Sequence, residues 1–270
     1  MSALASSLIL HPSLNQSLAV LATTNGRDKV YRLIQYLSRL IAWSYLRRGS
    51  LDHAAKWEGL MKGMAAGRRV MRLFKPTEFV QAALRLAQRP ITSLTAPGQI
   101  AHLAQIGRQI GYAGFLGSDG LVWLGGIQFL RYDKEKIARL QRISYKCWLT
   151  GIFLSLVSTV ASLAKLRADG KRFALSNKIA RREAATSEKT PEEKARDEEE
   201  RRQKGRALLA QRQTLLSQLV MDSCDIWIPA TNLGYTSLND GVLGILGATT
   251  SYMSLQTLWA KHKAAGISKV

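Results

Sequence analysis

The chain has 270 residues, enough for one large domain or two modest ones, and its 39 Lys and Arg against 19 Asp and Glu give a formal net charge of +20. Such an excess indicates a polyanionic partner, either nucleic acid or the headgroups of an acidic membrane. The four histidines are scattered, neither of the two cysteines has a Cys or His at metal-ligand spacing, and no phosphate-binding glycine loop occurs. The sequence therefore predicts no catalytic site, no metal and no cofactor, and a protein that is not an enzyme.

Residues 1–99 form a basic N-terminal region, in which 14 basic side chains accompany 4 acidic ones. Proline is scarce, no stretch alternates as a strand would, and apolar residues recur at helical spacing, so we expect an all-α fold. A first helix is predicted to start near Pro12, a turn to occupy residues 23–26, and a second helix to run from about 27 to 46. A short helix is predicted at 77–88.

The helix predicted at residues 51–75 is amphipathic and basic. On a helical wheel its Trp, Leu, Met and Phe side chains share one side, Lys62, Arg69 and Arg72 fall away from them, and Arg68 lies at the edge of the apolar arc. This pattern is typical of a helix in a membrane interface, and it also fits a helix packed on a soluble core. The cationic polar face and the uncharged tracts that follow favour the membrane. The predicted membrane-binding residues are Trp57, Leu60, Met61, Lys62, Met64, Arg68, Arg69, Met71, Arg72, Phe74 and Lys75.

Residues 100–167 are predicted to form a glycine-rich, membrane-embedded segment and a first span. Glycines three and four positions apart in 100–130 would let helices approach closely in lipid. Because Arg108 and Asp119 would each cost about 2.5–3.5 kcal/mol at the bilayer centre, a helix pair or a half-inserted hairpin is favoured over a single crossing. The uncharged residues 147–164 would extend about 27 Å as a helix, close to the ~30 Å hydrocarbon core, although a buried helix of a soluble bundle has the same pattern.

Residues 168–214 are rich in charge and are predicted to form a charged loop, either a solvated helix or a disordered segment. An apolar C-terminal region, 215–260, follows, and a basic tail, 261–270, ends the chain. The uncharged residues 241–260 are predicted to form a second span whose small-residue face serves self-association. The predicted self-association residues are Gly241, Gly244 and Gly247. The two aspartates of this region, Asp222 and Asp225, lie a helical turn apart and could share a site, although helix capping or solvation is the expected role.

Three strings carry a resemblance to a known family. They are Gly-Arg-Asp-Lys-Val at 26–30 with Arg-Leu-Ile-Gln-Tyr at 32–36, the basic segment 68–75, and Asp-Gly-Leu-Val-Trp-Leu at 119–124. With these strings, most of 10–165 resembles the peroxin-eleven family of peroxisomal membrane proliferation and fission proteins, as a fungal-type member. The charged stretch at 168–212 does not match the family pattern.

The resemblance implies an integral protein of the peroxisomal membrane with both termini in the cytosol. It also implies an amphipathic helix that tubulates anionic phospholipid membrane, formation of a homo-oligomer, and recruitment of a dynamin-related GTPase and fission adaptors. The family's membrane-active helix corresponds to residues 57–75 of this chain.

The leading hypothesis is a non-enzymatic membrane-remodelling protein that inserts its amphipathic helix, elongates the peroxisomal membrane and promotes peroxisome division. The alternative is a pore for small metabolites in the same membrane, built from the glycine-rich helices. A soluble nucleic-acid binder would fit the charge alone, but the sequence contains no nucleic-acid-binding motif and the uncharged tracts have no place in such a protein, so no nucleic acid is expected.

Overall fold

The computed structural model describes residues 11–91, 95–186 and 190–267. Over these ranges the regular elements are all α-helices, which confirms the predicted all-α fold. The helices are α1 (Pro12–Leu21), α2 (Thr24–Arg47), α3 (Leu51–Met71), α4 (Lys75–Ala87), α5 (Ala96–Gly126), α6 (Lys134–Thr186), α7 (Pro191–Asp225), α8 (Trp227–Asn232) and α9 (Asp240–Ile267).

Local signals in the sequence set most of the helix starts. Pro12 lies in the first turn of α1, as predicted, where its missing N–H costs nothing. Thr23 caps α2 by accepting a hydrogen bond from the N–H of Gly26 at 3.0 Å. Because a capped helix begins at Thr24, the turn predicted at 23–26 is shorter than expected. The helix predicted at 51–75 ends at Met71, since the chain turns before entering α4.

Helices α5 and α6 pack closely through glycines. A Cβ atom placed on Gly111 would lie 2.8 Å from the Cα of Gly151, and one on Gly114 would lie 3.0 Å from the Sγ of Cys147. A Cβ on Gly107 would meet the side chain of Leu154. We call this interface, formed by Gly107, Gly111 and Gly114 on α5 and the facing residues of α6, the glycine contact. Residues Ala96–Gly126 form one continuous helix, so the helix pair or hairpin predicted within 100–130 is not found, while the insertion of this segment into a membrane stays a prediction.

The glycines of α9 have a partner within the same chain. A Cβ on Gly241 would lie 2.6 Å from the Trp43 ring, one on Gly244 would lie 2.9 Å from Leu40, and one on Gly247 would lie 2.3 Å from the Tyr36 ring. All three partners belong to α2, so α2 covers the face of α9 that the sequence assigned to self-association. The assignment of Gly241, Gly244 and Gly247 to contacts between copies is therefore corrected, because a close-packed helix already fills that face.

The charged region predicted as a loop is a helical hairpin. Helix α6 has 53 residues, about 80 Å at 1.5 Å per residue, and runs far beyond the apolar stretch. Helix α7 returns alongside it, with Gly205 facing the Phe173 ring and Ser155 bonded to Asp222. Of the two forms predicted for 168–214, the helical one is found, except at 187–189, which lie outside the described residues. A capping box of Thr190 and Glu193 starts α7.

One helix in the described part of the chain is long and apolar enough to cross a membrane, by length and composition, and it is the stretch Lys134–Ala180 of α6. It contains the predicted first span at 147–164. The predicted second span at 241–260 does form a helix within α9, but it does not reach the same apolarity, because residues such as Thr250 and Ser251 interrupt it. The crossing of a membrane by residues 241–260 stays a prediction.

Candidate membrane-binding site

The cationic side of α3 points into the bundle. Arg68 is buried, its Nε donates to Oδ1 of Asp28 at 3.0 Å, and its Nη1 donates to Oε1 of Gln35 at 2.7 Å. Both acceptors lie on α2, within the residues that carry the family resemblance. The sequence placed Arg68 at the edge of the apolar face, but the structure buries its side chain against two acceptors. Arg68 therefore binds α2.

The two neighbouring arginines bind α5. Arg69 Nε donates to Oδ1 of Asp119 at 3.0 Å, and Arg72 Nη2 donates to its Oδ2 at 3.3 Å. Arg72 also lies 3.6 Å from Asp28. Asp28, Arg68, Arg69, Arg72 and Asp119 thus form one network, here called the charged cluster. The carboxylate of Asp119, which argued against a simple crossing by this segment, is neutralised by two arginines.

Electrostatics in the charged cluster favour its ionised state. Burial raises the pKa of Asp28, but the positive charges of Arg68 and Arg72 outweigh it and lower the pKa to about 2. Burial, followed by the charge of Arg72, lowers the pKa of Arg68 to about 10, which still leaves the guanidinium charged at neutral pH. The cluster is therefore a set of buried, mutually compensating ions.

The outer side of α3 carries exposed apolar and small residues together with the exposed charged residues Asp52, Lys56 and Lys62. Leu60 is 37% exposed and Val70 is 46% exposed, and Phe74, in the turn after the helix, is 84% exposed. Nothing lies within 4 Å of a Cβ placed on Gly59 or Gly63. A soluble protein normally turns apolar side chains such as these inward. Exposed apolar side chains thus share the outside of α3 with Lys56 and Lys62, while Arg68 is buried and Arg69 is partly buried by its ion pair.

Most of the remaining predicted membrane-binding residues are less buried than Arg68 and less exposed than Phe74. Half-buried side chains are found at Trp57, Met61, Met64, Met71 and Lys75. Lys75 Nζ donates to Oδ1 of Asn25 at 3.3 Å. Lys62 is exposed and forms a surface pair with Glu58 at 3.2 Å. The prediction of an outward cationic face made of Arg69 and Arg72 is wrong for these two residues, because Asp119 holds both of them.

Helix α6 shows the same inverted polarity. Ser144, Ser155 and Thr159 are buried, while Phe153 and Val160, seven residues apart, are 57% and 56% exposed. Residues seven apart lie on the same face of a helix, so the outer face of the predicted span is apolar. Apolar residues outside and hydroxyls inside are what a helix bundle in lipid requires.

Helix α9 repeats this arrangement. Thr250 and Ser251 are fully buried, while Ile245 and Tyr252 are more than half exposed. Ser251 Oγ donates to the carbonyl of Gly247 at 2.5 Å, so its hydroxyl is satisfied within the helix. The inversion seen on α3 and α6 is therefore shared by a third helix.

A second polar network, which the sequence-based reasoning missed, joins α7 to its neighbours. Asp225 accepts from Arg32 Nη2 at 2.6 Å and from Thr250 Oγ1 at 2.7 Å. Asp222 accepts from Ser155 Oγ at 2.5 Å and from Gln218 Nε2 at 2.8 Å. The signal was present, because carboxylates inside an apolar stretch without a solvated face need internal partners.

The described residues offer no group of three or more His, Cys, Asp or Glu that could hold a metal ion. The two cysteines, Cys147 and Cys224, are free and half-buried. The titratable groups that the structure brings together belong to two carboxylate–arginine networks, in which Asp28, Asp119 and Asp225 are ion-paired with arginines. These residues therefore hold helices together through ion pairs and packing.

Comparison with known proteins gives the chain a family. A family model described as Peroxisomal biogenesis factor 11 (PEX11) matches residues 14–259. Peroxisomal membrane protein PMP27 of Saccharomyces cerevisiae is 26% identical over 93% of this chain and 97% of its own length. Peroxisomal biogenesis factor 11 of Schizosaccharomyces pombe is 20% identical over 92% of this chain and 96% of its own length. Peroxisomal membrane protein PMP30A of Candida boidinii is 24% identical over 95% of this chain and 98% of its own length. No solved structure matches the chain. The matched region covers nearly all of the sequence, and the chain belongs to the peroxisomal biogenesis factor 11 family.

Proposed function

We propose that this chain is a non-enzymatic, integral protein of the peroxisomal membrane that elongates the membrane and promotes peroxisome division. The observation that carries the proposal is the inverted polarity of α3, in which Phe74 and Val70 face outward while Arg68, Arg69 and Arg72 are ion-paired inside. The relatives named as peroxisomal membrane proteins support the location.

The proposed action is a wedge in one leaflet. Fully burying a Phe, Leu or Val side chain contributes about 1.5–3 kcal/mol, so Phe74, which is 84% exposed, supplies most of the insertion energy, and Leu60 and Val70, which are less than half exposed, each supply a fraction of that amount. The volume of these three side chains between the headgroups expands that leaflet relative to the other and favours curvature. Lys56 and Lys62 are exposed on α3, and a lysine near an anionic surface adds about 1 kcal/mol of attraction.

The charged cluster supports the wedge. It joins α3 to α2 through Asp28 and to α5 through Asp119, so the inserted face is attached to the rest of the bundle. A wedge on an independent peptide could tilt or sink until the bilayer relaxed. A wedge fixed to a bundle keeps its depth, and each inserted copy then contributes to curvature.

Helix α6 is the proposed anchor, since its stretch at 147–164 has the length and the apolar outer face of a span. The cytosolic orientation of both termini, the formation of a homo-oligomer and the recruitment of a dynamin-related GTPase with fission adaptors are proposed from the family resemblance. They need surfaces other than the glycines of α9, which α2 covers.

Electron microscopy of reconstituted vesicles tests the wedge. The full-length protein in anionic vesicles is expected to produce tubules, and the same protein in vesicles of phosphatidylcholine is expected to leave them round. Leu60→Glu and Phe74→Glu should abolish the tubules, because each places a charge on the inserted face. Leu209→Glu is the matched control, since Leu209 is 66% exposed but lies on the charged hairpin. Tubules from Phe74→Glu equal to those from wild type would refute the wedge.

A further inference from the structure

A half-open cavity of about 260 Å³ lies between the helices of the bundle, next to the charged cluster. Its walls come from α2, α3, α4, α5, α6, α7 and α9. Six basic side chains and three acidic ones line it. The basic residues are Lys29, Arg32, Arg68, Arg72, Lys75 and Arg108, and the acidic ones are Asp28, Asp222 and Asp225. A cavity with such an excess of positive charge requires an explanation, because isolated buried charges are costly.

Each acidic side chain of the cavity wall already has hydrogen-bond partners in the protein. Asp28 binds Arg68, and Asp225 binds Arg32. Asp222 accepts from two neutral side chains, Ser155 and Gln218. Asp28 and Asp225 also attract Lys29, and Asp222 attracts Arg108, but three acids cannot balance the six cations of the wall.

Three cations of the wall, Lys29, Arg108 and Lys75, form no ion pair within 4 Å in the described part of the chain, and of these Lys75 donates to the neutral side chain of Asn25. Within the described residues Lys29 forms no hydrogen bond or ion pair. Burial, followed by the positive charge of Arg32, lowers the pKa of Lys29 to about 8. The Nε of Arg108 is buried without a hydrogen-bond partner, and its guanidinium lies 5.5 Å from the centre of the Tyr112 ring. Lys29 and Arg108 thus carry donors that face the cavity and are unused.

We propose that this cavity binds a phosphate group, with Lys29 and Arg108 as its principal donors. Phosphate oxygens accept the charge-assisted hydrogen bonds that lysine and arginine offer, and an anion here would restore the charge balance. The aromatic rings of Tyr112, Phe115 and Trp148 line the same space and reduce the dielectric around the bound charge. The volume, just below the usual range of ~300–1,000 Å³ for ligand pockets, suits a small group such as the phosphate of a lipid headgroup or a soluble phosphate monoester.

The cavity and the wedge are separate features, since the outward residues Leu60, Val70 and Phe74 do not line the cavity. The proposal therefore does not rest on the proposed function. It adds a ligand that would bind between the helices that hold α3 in place.

Thermal unfolding of the full-length protein in an uncharged detergent tests the site with two probes. The first probe is glycerol phosphate, a soluble phosphate monoester. The second is phosphatidic acid mixed into the micelles, with phosphatidylcholine as its control. A ligand that binds only the folded state raises the unfolding temperature in proportion to its occupancy. A rise with the first probe alone identifies a soluble phosphate as the ligand, and a rise with the second alone identifies a lipid headgroup. A rise with both shows that the phosphate group itself is recognised.

The variants are Lys29→Gln, Arg108→Gln and a matched control, Arg139→Gln, whose side chain is 72% exposed. Each cavity variant should weaken phosphate binding at least tenfold, and Arg139→Gln should bind as wild type does. Without ligand, Lys29→Gln and Arg108→Gln should unfold at the same temperature as wild type or higher, because each removes an uncompensated buried charge. This combination separates a ligand donor from a residue with only a structural role, whose loss lowers the unfolding temperature.

The proposal is overturned if neither probe raises the unfolding temperature of wild type above that of Arg108→Gln. It is also overturned if Arg139→Gln loses the response to the same extent, since the effect would then come from surface charge. A lower unfolding temperature of both unliganded cavity variants would show that the two cations stabilise the fold without a ligand, which contradicts the assignment.

Discussion

Two adjoining regions of the bundle, the charged cluster around α3 and the glycine contact between α5 and α6, are stabilised by different physics. In the charged cluster, full charges compensate one another at 3.0 to 3.6 Å in a buried setting. In the glycine contact, uncharged backbones approach so closely that a Cβ atom would not fit. The first should respond to pH and to the loss of a charge, and the second to added volume. Both leave the apolar side chains free to face outward.

The largest effect is expected from breaking the charged cluster. Asp28→Asn leaves Arg68 buried without its carboxylate, and the loss of one partner of a buried ion pair costs about 3–5 kcal/mol of unfolding free energy. The measurement is unfolding in mild detergent. Glu135→Gln is the control, because Glu135 and Arg139 form an exposed pair worth less than about 1 kcal/mol. Equal losses in the two variants would show that the cluster contributes no more than a surface pair.

The next effect is expected from filling the glycine contact. Gly111→Ala places a methyl group 2.8 Å from the Cα of Gly151, and overpacking of this kind costs about 1–3 kcal/mol. Gly117→Ala on the same helix meets nothing within 4 Å, so its better helix propensity should stabilise the protein by up to about 1 kcal/mol. Unfolding temperatures should therefore move in opposite directions. A gain of stability in Gly111→Ala would disprove the close contact.

The charged cluster and the glycine contact should differ in how their contributions to stability depend on pH. The pKa of Asp28 is lowered from 3.8 to about 2 in the folded protein, so the unfolded chain binds more protons between these values. The stabilisation from Asp28 is therefore complete above about pH 4 and is lost as the pH falls through 2, an effect on the order of 2 kcal/mol. The difference in stability between wild type and Asp28→Asn should shrink from pH 5 to pH 2. The difference between wild type and Gly111→Ala should stay constant. A constant gap for Asp28→Asn would contradict the ionised cluster.

The sequence predicts where helices are more reliably than what they touch. Apolar periodicity, the cap at Thr23 and the proline of α4 are local signals, and the helices lie close to the expected positions. Arg69 and Arg72 were predicted to face outward, because a helical wheel assumes that charge faces solvent. Only the partners Asp28 and Asp119, distant in sequence, turn these arginines inward.

The same limit applies to the glycines and the aspartates. The repeat of small residues in α9 does indicate a close helix contact, but it contains no information on whether the partner is another copy or α2. Asp222 and Asp225 lie in an apolar stretch, and their partners Ser155, Arg32 and Thr250 come from three other helices. Which residues contact these glycines and aspartates depends on the tertiary packing, so the spacing of residues along the sequence could not predict it.

The central claim is that the outer face of α3 lies in the bilayer while its arginines remain inside the protein. It is tested most directly by attaching a polarity-sensitive fluorophore to Phe74→Cys, in a chain whose Cys147 and Cys224 are replaced by serine, and reconstituting the full-length protein in anionic vesicles. Arg202→Cys, on the charged hairpin, serves as the aqueous control. We predict that the label at position 74 shows blue-shifted emission and is quenched by brominated lipid, while the label at position 202 shows neither. Emission at position 74 that matches the aqueous control would contradict the account.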